Sequence, residues 1–130
     1  MKLNYDCVRD VLLAVEKAET IDENLSLTPL KVVELFDGLP EYKDNEILYT
    51  VEKLKEAGYI NATIQFAAGR YIDGFISSIT YSGHEYLDNI RDPKVWRKVK
   101  SVLAKAGATT LPLISQAAQT LIGSRLTEVI

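Results

Sequence analysis

The sequence predicts a mainly helical α+β fold that carries a single β-hairpin and ends in a helical extension. Three observations predict it. Apolar residues recur at helical spacing in several separate segments, as Val8, Val11, Leu12 and Val15 do at i, i+3, i+4 and i+7. Between residues 60 and 79 the period changes, and two runs rich in Ile, Phe, Tyr and Thr flank the turn signal Ala67-Ala68-Gly69-Arg70. Helix-start and helix-stop residues punctuate the rest: Asn4, Asp44, Thr80, Asp92-Pro93 and Thr110 open segments, and Gly58 and Gly107 close them. A length of 130 residues with 47% apolar and 25% charged side chains suits one globular domain with an appendage and excludes a disordered chain.

Taken in order, Asn4 caps a first helix over about 5–19, with Cys7 and Ala14 at the edge of its apolar stripe. Residues 20–29 read as a loop with a short strand at Leu25–Leu27. The run LKVVELF, 30–36, reads as a second helix stopped by Gly38 and Pro40. Asp44 caps a third helix to about Ala57, its inward face Ile47, Leu48, Val51 and Leu54. The hairpin strands fall at about 60–66 and 71–79. Thr80 then caps a fourth helix, 81–91, and Asp92-Pro93 starts a fifth that runs to about Ala106. Thr110 opens a last helix with Leu111, Ile114, Ala118, Leu121 and Ile122 on one side. No internal repeat or low-complexity segment interrupts this order.

Helix, short strand, two helices, β-hairpin, helix is the order of a winged helix-turn-helix. LKEAGYI, 54–60, reads as the end of a third helix entering a wing. ITYSGHEYL, 79–87, resembles the Leu-Thr-x-x-Gly turn that leaves the second wing strand in many winged-helix regulators. Over nearly its full length the chain, through MKLNYDCVRDVLLAVE, ILYTVEKLKEAGYI and above all GHEYLDNIRDPKVW, resembles the domain-of-unknown-function family two-five-one-three. That resemblance implies a winged-helix-like fold and an origin in Gram-positive bacteria and their prophages. It implies no activity and no catalytic residue. The expected organisation is a winged-helix-like domain, 1–91, followed by a basic helix and an amphipathic C-terminal helix, 92–130.

Charge is divided unevenly. Residues 1–90 hold 8 Lys/Arg against 16 Asp/Glu, and residues 91–130 hold 7 against 2, so halves of −8 and +5 make up the net −3. The lone Cys7 excludes an internal disulfide, and one Cys with one His excludes a Cys/His zinc site. Cys7 stands beside Asp6 and Asp10, which disfavour a reactive thiolate, so it reads as a small packed side chain. The N-terminus lacks an apolar signal-peptide core, and 106–124 is too polar for a membrane span. A cytoplasmic location is expected.

His84-Glu85-x-x-Asp88 looks like a damaged H-E-x-x-H metalloprotease helix. A zincin needs a second His and a third ligand, and no other His exists. On a helical wheel Gly83, Tyr86, Leu87 and Ile90 face inward, leaving His84, Asp88 and Arg91 as a polar flank in which Asp88 can pair with both neighbours. Phosphate-binding loops and the nucleophile elbow G-x-S-x-G are missing. Neither catalysis, nor a metal, nor another cofactor, nor a small-molecule substrate is expected.

Macromolecular binding is what remains. The third helix, which in winged helices reads the major groove, carries Asp44, Glu46, Glu52 and Glu56 against Lys53 and Lys55, a face that phosphates repel. Its Glu46, Tyr49, Glu52, Lys53 and Glu56 form the candidate protein interface. The candidate nucleic-acid contacts are Arg70 on the wing and Arg91, Lys94, Arg97, Lys98 and Lys100 around the fifth helix, where Trp96 could stack on a base but fits the inward stripe better. Leu111, Ile114, Ala118, Leu121 and Ile122 are the candidate oligomerisation stripe; Arg125 alone does not make this helix membrane-binding. The leading expectation is a non-enzymatic regulatory or accessory protein of a phage or mobile element that binds a partner, protein before DNA. A winged-helix transcriptional regulator is the alternative, and an acidic nucleic-acid mimic the third reading.

Overall fold

The computed structural model of the chain describes residues 1–107 and 110–129, with the side chains of 106 and of 124–129, Arg125 among them, outside the described part. It divides into two compact units, Met1–His84 and Glu85–Ile130. Among the described residues there are six helices and a three-stranded antiparallel sheet.

In the first unit, α1 (Tyr5–Lys17) starts where the Asn4 side chain accepts hydrogen bonds from the amides of Asp6 (3.0 Å) and Cys7 (3.2 Å), satisfying two donors that the first turn leaves over. It buries Cys7, Val8, Val11, Leu12 and Val15. There follow β1 (Leu30–Lys31), α2 (Val32–Gly38), α3 (Asp44–Glu56), β2 (Ile60–Ala67) and β3 (Arg70–Ile79). The sheet order is β1-β3-β2, both pairings antiparallel, with Leu30 opposite Ile76 and Ile60 opposite Ile79. α1 packs on α3 and β3, and the core gathers Val32, Leu35, Ile47, Val51, Leu54, Ile60 and Ile76 around it. Such a core of aliphatic side chains in contact supplies most of the unit's stability.

Four local expectations are corrected by the structure. The strand expected at Leu25–Leu27 is not formed; Leu27 makes only an isolated bridge to Ile21. The strand lies at Leu30–Lys31, where a helix was expected to begin, because these two residues pair with Ile76 and Phe75. Their backbone is committed to the sheet edge, so α2 starts at Val32, with the Lys31 amide donating to the Glu34 carboxylate at 3.2 Å. Asp44 is also not the cap of α3. Lys43 holds that position without a side-chain hydrogen bond, and Asp44 sits in the first turn, where the helix dipole favours a carboxylate. Leu48, expected inside, is only half-buried.

The hairpin turn forms as expected, with Ala68 (φ 51°) and Gly69 (φ 76°) both left-handed. Thr80 joins it to α4 (Tyr81–Ile90): its hydroxyl donates to the Gly58 carbonyl at 2.6 Å and accepts from the Gly83 amide at 3.1 Å.

The second unit holds the later half of α4, then α5 (Pro93–Ala106) and α6 (Leu111–Val129), which pack on one another. Asp92 caps α5 through the Lys94 amide at 2.7 Å, and Gly107 (φ 79°) ends it. The division falls inside α4. Gly83 belongs to the first unit through Tyr59, whereas Asn89 reaches forward to donate to the Ser115 hydroxyl of α6 at 2.7 Å. Among the described residues no helix is long and apolar enough to cross a membrane.

Candidate functional site

The exposed side of α3 follows from its inward one. Ile47, Thr50, Val51 and Leu54 are buried, which turns Asn45, Tyr49, Glu52 and Glu56 outward along successive turns. The five residues of the expected protein interface do share this surface. Lys53 Nζ lies 2.7 Å from Glu56 Oε2 and 5.3 Å from the centre of the Tyr49 ring. The Glu56 carboxylate holds the Lys53 ammonium above its ordinary pKa. That cation is therefore occupied within the helix, and Glu52 remains beside it. The Tyr49 hydroxyl donates to the Met1 carbonyl at 3.2 Å, and Asn4 Nδ2 reaches Glu46 at 3.4 Å, so the N-terminal residues border the same face.

Beneath it, Thr50 Oγ1 donates to the Glu46 carbonyl at 2.8 Å and lies 3.3 Å from the sulfur of Cys7. Cys7 is wholly buried, and that burial, reinforced by the neighbouring carboxylates of Glu46 and Asp10, pushes its thiol up to about 11. It sits as a packed core side chain, in surroundings that disfavour the thiolate. One turn along α1 from Cys7 the Tyr42 hydroxyl donates to Asp10 at 2.6 Å, and burial together with that bond raises its pKa strongly. Nothing in the local sequence pattern pointed to this pair, since its partners come from different elements.

The expected nucleic-acid contacts are distributed over both units. Arg70 is exposed at the hairpin tip of the first unit. In the second unit, Lys94, Arg97 and Lys98 are exposed along α5, while Val95, Trp96 and Val99 take the opposite, buried face. Trp96 is 5% exposed, too covered to stack on a base. Lys100 lies 5.6 Å from the centre of its ring, and Arg91 is held by Asp88 at 2.8 Å. Three of the expected oligomerisation residues, Leu111, Ile114 and Ala118, are buried within the chain, and Leu121 and Ile122 are half-buried. Their stripe is thus largely used up by the fold itself.

His84 is exposed and lines an open cleft of roughly 330 Å³ with Val15, Glu16, Glu19, Thr20, Ile21, Ser78 and Ile79. Asp88 pairs with Arg91, and His84 forms no ion pair among the described residues. No group of three or more His, Cys, Asp or Glu side chains among them is placed to hold a metal. The surface that sequence reasoning missed is the 20–28 loop, where Ile21, Leu25 and Leu27 stand 66%, 86% and 62% exposed. Its only local signal is Asp22-Glu23-Asn24, the chemistry of a self-bonded turn.

An uncharacterized protein of Haemophilus influenzae is 32% identical over 127 residues, covering 97% of this chain and 99% of the relative. No solved structure matches the chain significantly. Residues 2–109 match the sequence profile of the family described as "Hypothetical protein (DUF2513)", and the chain belongs to that family.

Proposed function

We propose that this chain is a non-enzymatic accessory or regulatory protein of winged helix-turn-helix type that acts by binding another protein through the outward face of α3. The element order and the sheet order β1-β3-β2 support the winged-helix reading. The observation that carries the choice of partner is the Lys53–Glu56 pair. It occupies a cation of the helix that would lie in the major groove and leaves Glu52 next to it, a poor surface for phosphates. Tyr49, presented between these charges, suits a protein partner, where aromatic side chains contribute contact area at low entropic cost. The setting we propose is the cytoplasm of a host carrying a phage or other mobile element, as the family resemblance implies.

The test is capture of partners from nuclease-treated host lysate by the intact chain, compared with a Tyr49→Ala, Glu52→Lys, Glu56→Lys variant of unchanged melting temperature. The captured protein should be lost from the variant. Capture that survives these changes sinks the reading.

A second reading rests on the exposed Lys94, Arg97 and Lys98, which form a cationic row able to follow a phosphate backbone. It requires duplex binding at low salt that falls steeply as salt rises and weakens when these three become Ala. Duplex binding that is equally strong in the triple variant rules it out.

A further inference from the structure

The loop between α1 and β1 carries three exposed aliphatic side chains and is braced by its own hydrogen bonds. The Thr28 amide donates to the Thr20 carbonyl at 2.8 Å, the Asp22 amide to the Ser26 carbonyl at 3.0 Å, and the Leu25 amide to the Asp22 carbonyl at 3.0 Å. Asp22 Oδ1 accepts from the amides of Asn24 (2.9 Å) and Ser26 (3.0 Å). These bonds hold Leu25 at φ 64°, a left-handed conformation that a branched aliphatic residue adopts only under constraint. Its side chain is 86% exposed, between Ile21 and Leu27, both exposed as well. Single exposed leucines need no explanation, but three aliphatic side chains on one braced turn form a patch that asks for a cover.

The charge around that patch specifies the cover. Glu19, Asp22 and Glu23 lie beside these residues in the chain, and no Lys or Arg occurs between Lys17 and Lys31. The fitting surface is an apolar spot rimmed by cations, and α5 has one. Val102 is 56% exposed, one turn after Lys98 and one turn before Lys105, at the border of the buried stripe that holds Val99. No acidic residue occurs from Pro93 to Thr127.

We propose that the 20–28 loop of one copy docks on the basic face of α5 in a second copy, with Leu25 against Val102 and Glu19 and Glu23 facing Lys98 and Lys105. The contact joins unlike surfaces, and each copy carries one of each, so copies can meet reciprocally in a pair or add one to the next. It is independent of the α3 surface and goes beyond the function proposed above.

Sedimentation velocity of the full chain tests it. Association should rise with concentration at about 50 mM salt and weaken at least roughly tenfold at about 500 mM. Glu19→Lys with Glu23→Lys, and separately Lys98→Glu with Lys105→Glu, should each give monomers, and mixing the two variants should restore assembly. Leu25→Gly relieves the left-handed strain, so it should melt no lower than the parent yet associate at least roughly tenfold more weakly. Glu52→Lys with Glu56→Lys should leave assembly unchanged, which separates this proposal from the α3 reading. A monomeric parent at low salt overturns the proposal. So does a mixture that fails to reassemble, or a Leu25→Gly chain that associates like the parent.

Discussion

The carbonyl oxygen of Tyr59 occupies the space that a β-carbon on residue 83 would need, and Ile79 Cγ2 lies 2.7 Å from the same point. Gly83 is thus the residue that lets α4 start against the strand entry at Tyr59–Ile60, where Thr80 also bonds Gly58. Gly83→Ala should lower stability by about 2–4 kcal/mol, because the obstacle is backbone and cannot rotate away. Gly38→Ala, whose added β-carbon would meet nothing within 4 Å, serves as the control and should be neutral within about 0.5 kcal/mol. Chemical denaturation of both variants decides the point.

Cys7 should resist alkylation in the native chain and react stoichiometrically once the chain is unfolded. Its thiol is pushed from its ordinary value of 9.0 up to about 11, chiefly by burial. Because the folded value is raised, the stabilisation is complete below pH 9 and is lost as pH rises toward 11, where the unfolded thiol ionises and the folded one does not. Replacing Cys7 by Ser or Ala should flatten this alkaline decline, on the order of 2 kcal/mol. Melting curves across that range, parent against variant, give the comparison; an identical decline in both contradicts the assignment.

Tyr71 meets Phe36 and Phe66 edge-on, with ring centres 6.0 and 6.3 Å away, and its hydroxyl is buried with no hydrogen-bond partner among the described residues. Tyr71→Phe keeps the aromatic contacts and removes the unsatisfied group. It should be neutral or stabilising by up to about 1 kcal/mol, where a Tyr→Phe change at a bonded hydroxyl, such as Tyr42 on Asp10, should cost about 1 kcal/mol. Urea midpoints of the two variants should therefore move in different directions or, at least, by clearly different amounts.

His84 should bind no zinc in a stoichiometric titration. His84→Ala should keep the parent's melting temperature within a degree or two, since the side chain is exposed and forms no ion pair among the described residues. Tight zinc binding abolished by that substitution would reverse the reading of this helix.

Much of the local structure was legible because its causes are local. Asn4, Thr80, Asp92 and Thr110 act within three residues of themselves, and each accepts the amide bonds expected of a cap. The stripe Val8, Val11, Leu12, Val15 and the inward set Gly83, Tyr86, Leu87, Ile90 are buried as their spacing required. Trp96 went inward with Val95 and Val99 for the same reason. Of the polar flank on α4 only half formed: Asp88 took Arg91, and His84 was left on the wall of the cleft.

The sequence by itself determined most of the caps, the hairpin turn, most of the inward faces and the packing of Cys7 as a small core side chain, because caps, periodicity and turn chemistry act over a few residues. Only the tertiary structure decided that Leu30 and Lys31 become a strand, since their partners Ile76 and Phe75 lie far along the chain. It alone decided that residue 83 must be glycine, through the carbonyl of Tyr59. It also buried Leu111, Ile114 and Ala118 while leaving Ile21, Leu25 and Leu27 in solvent. An apolar residue carries no local mark of whether a distant neighbour will arrive to cover it, and that arrival is what packing supplies.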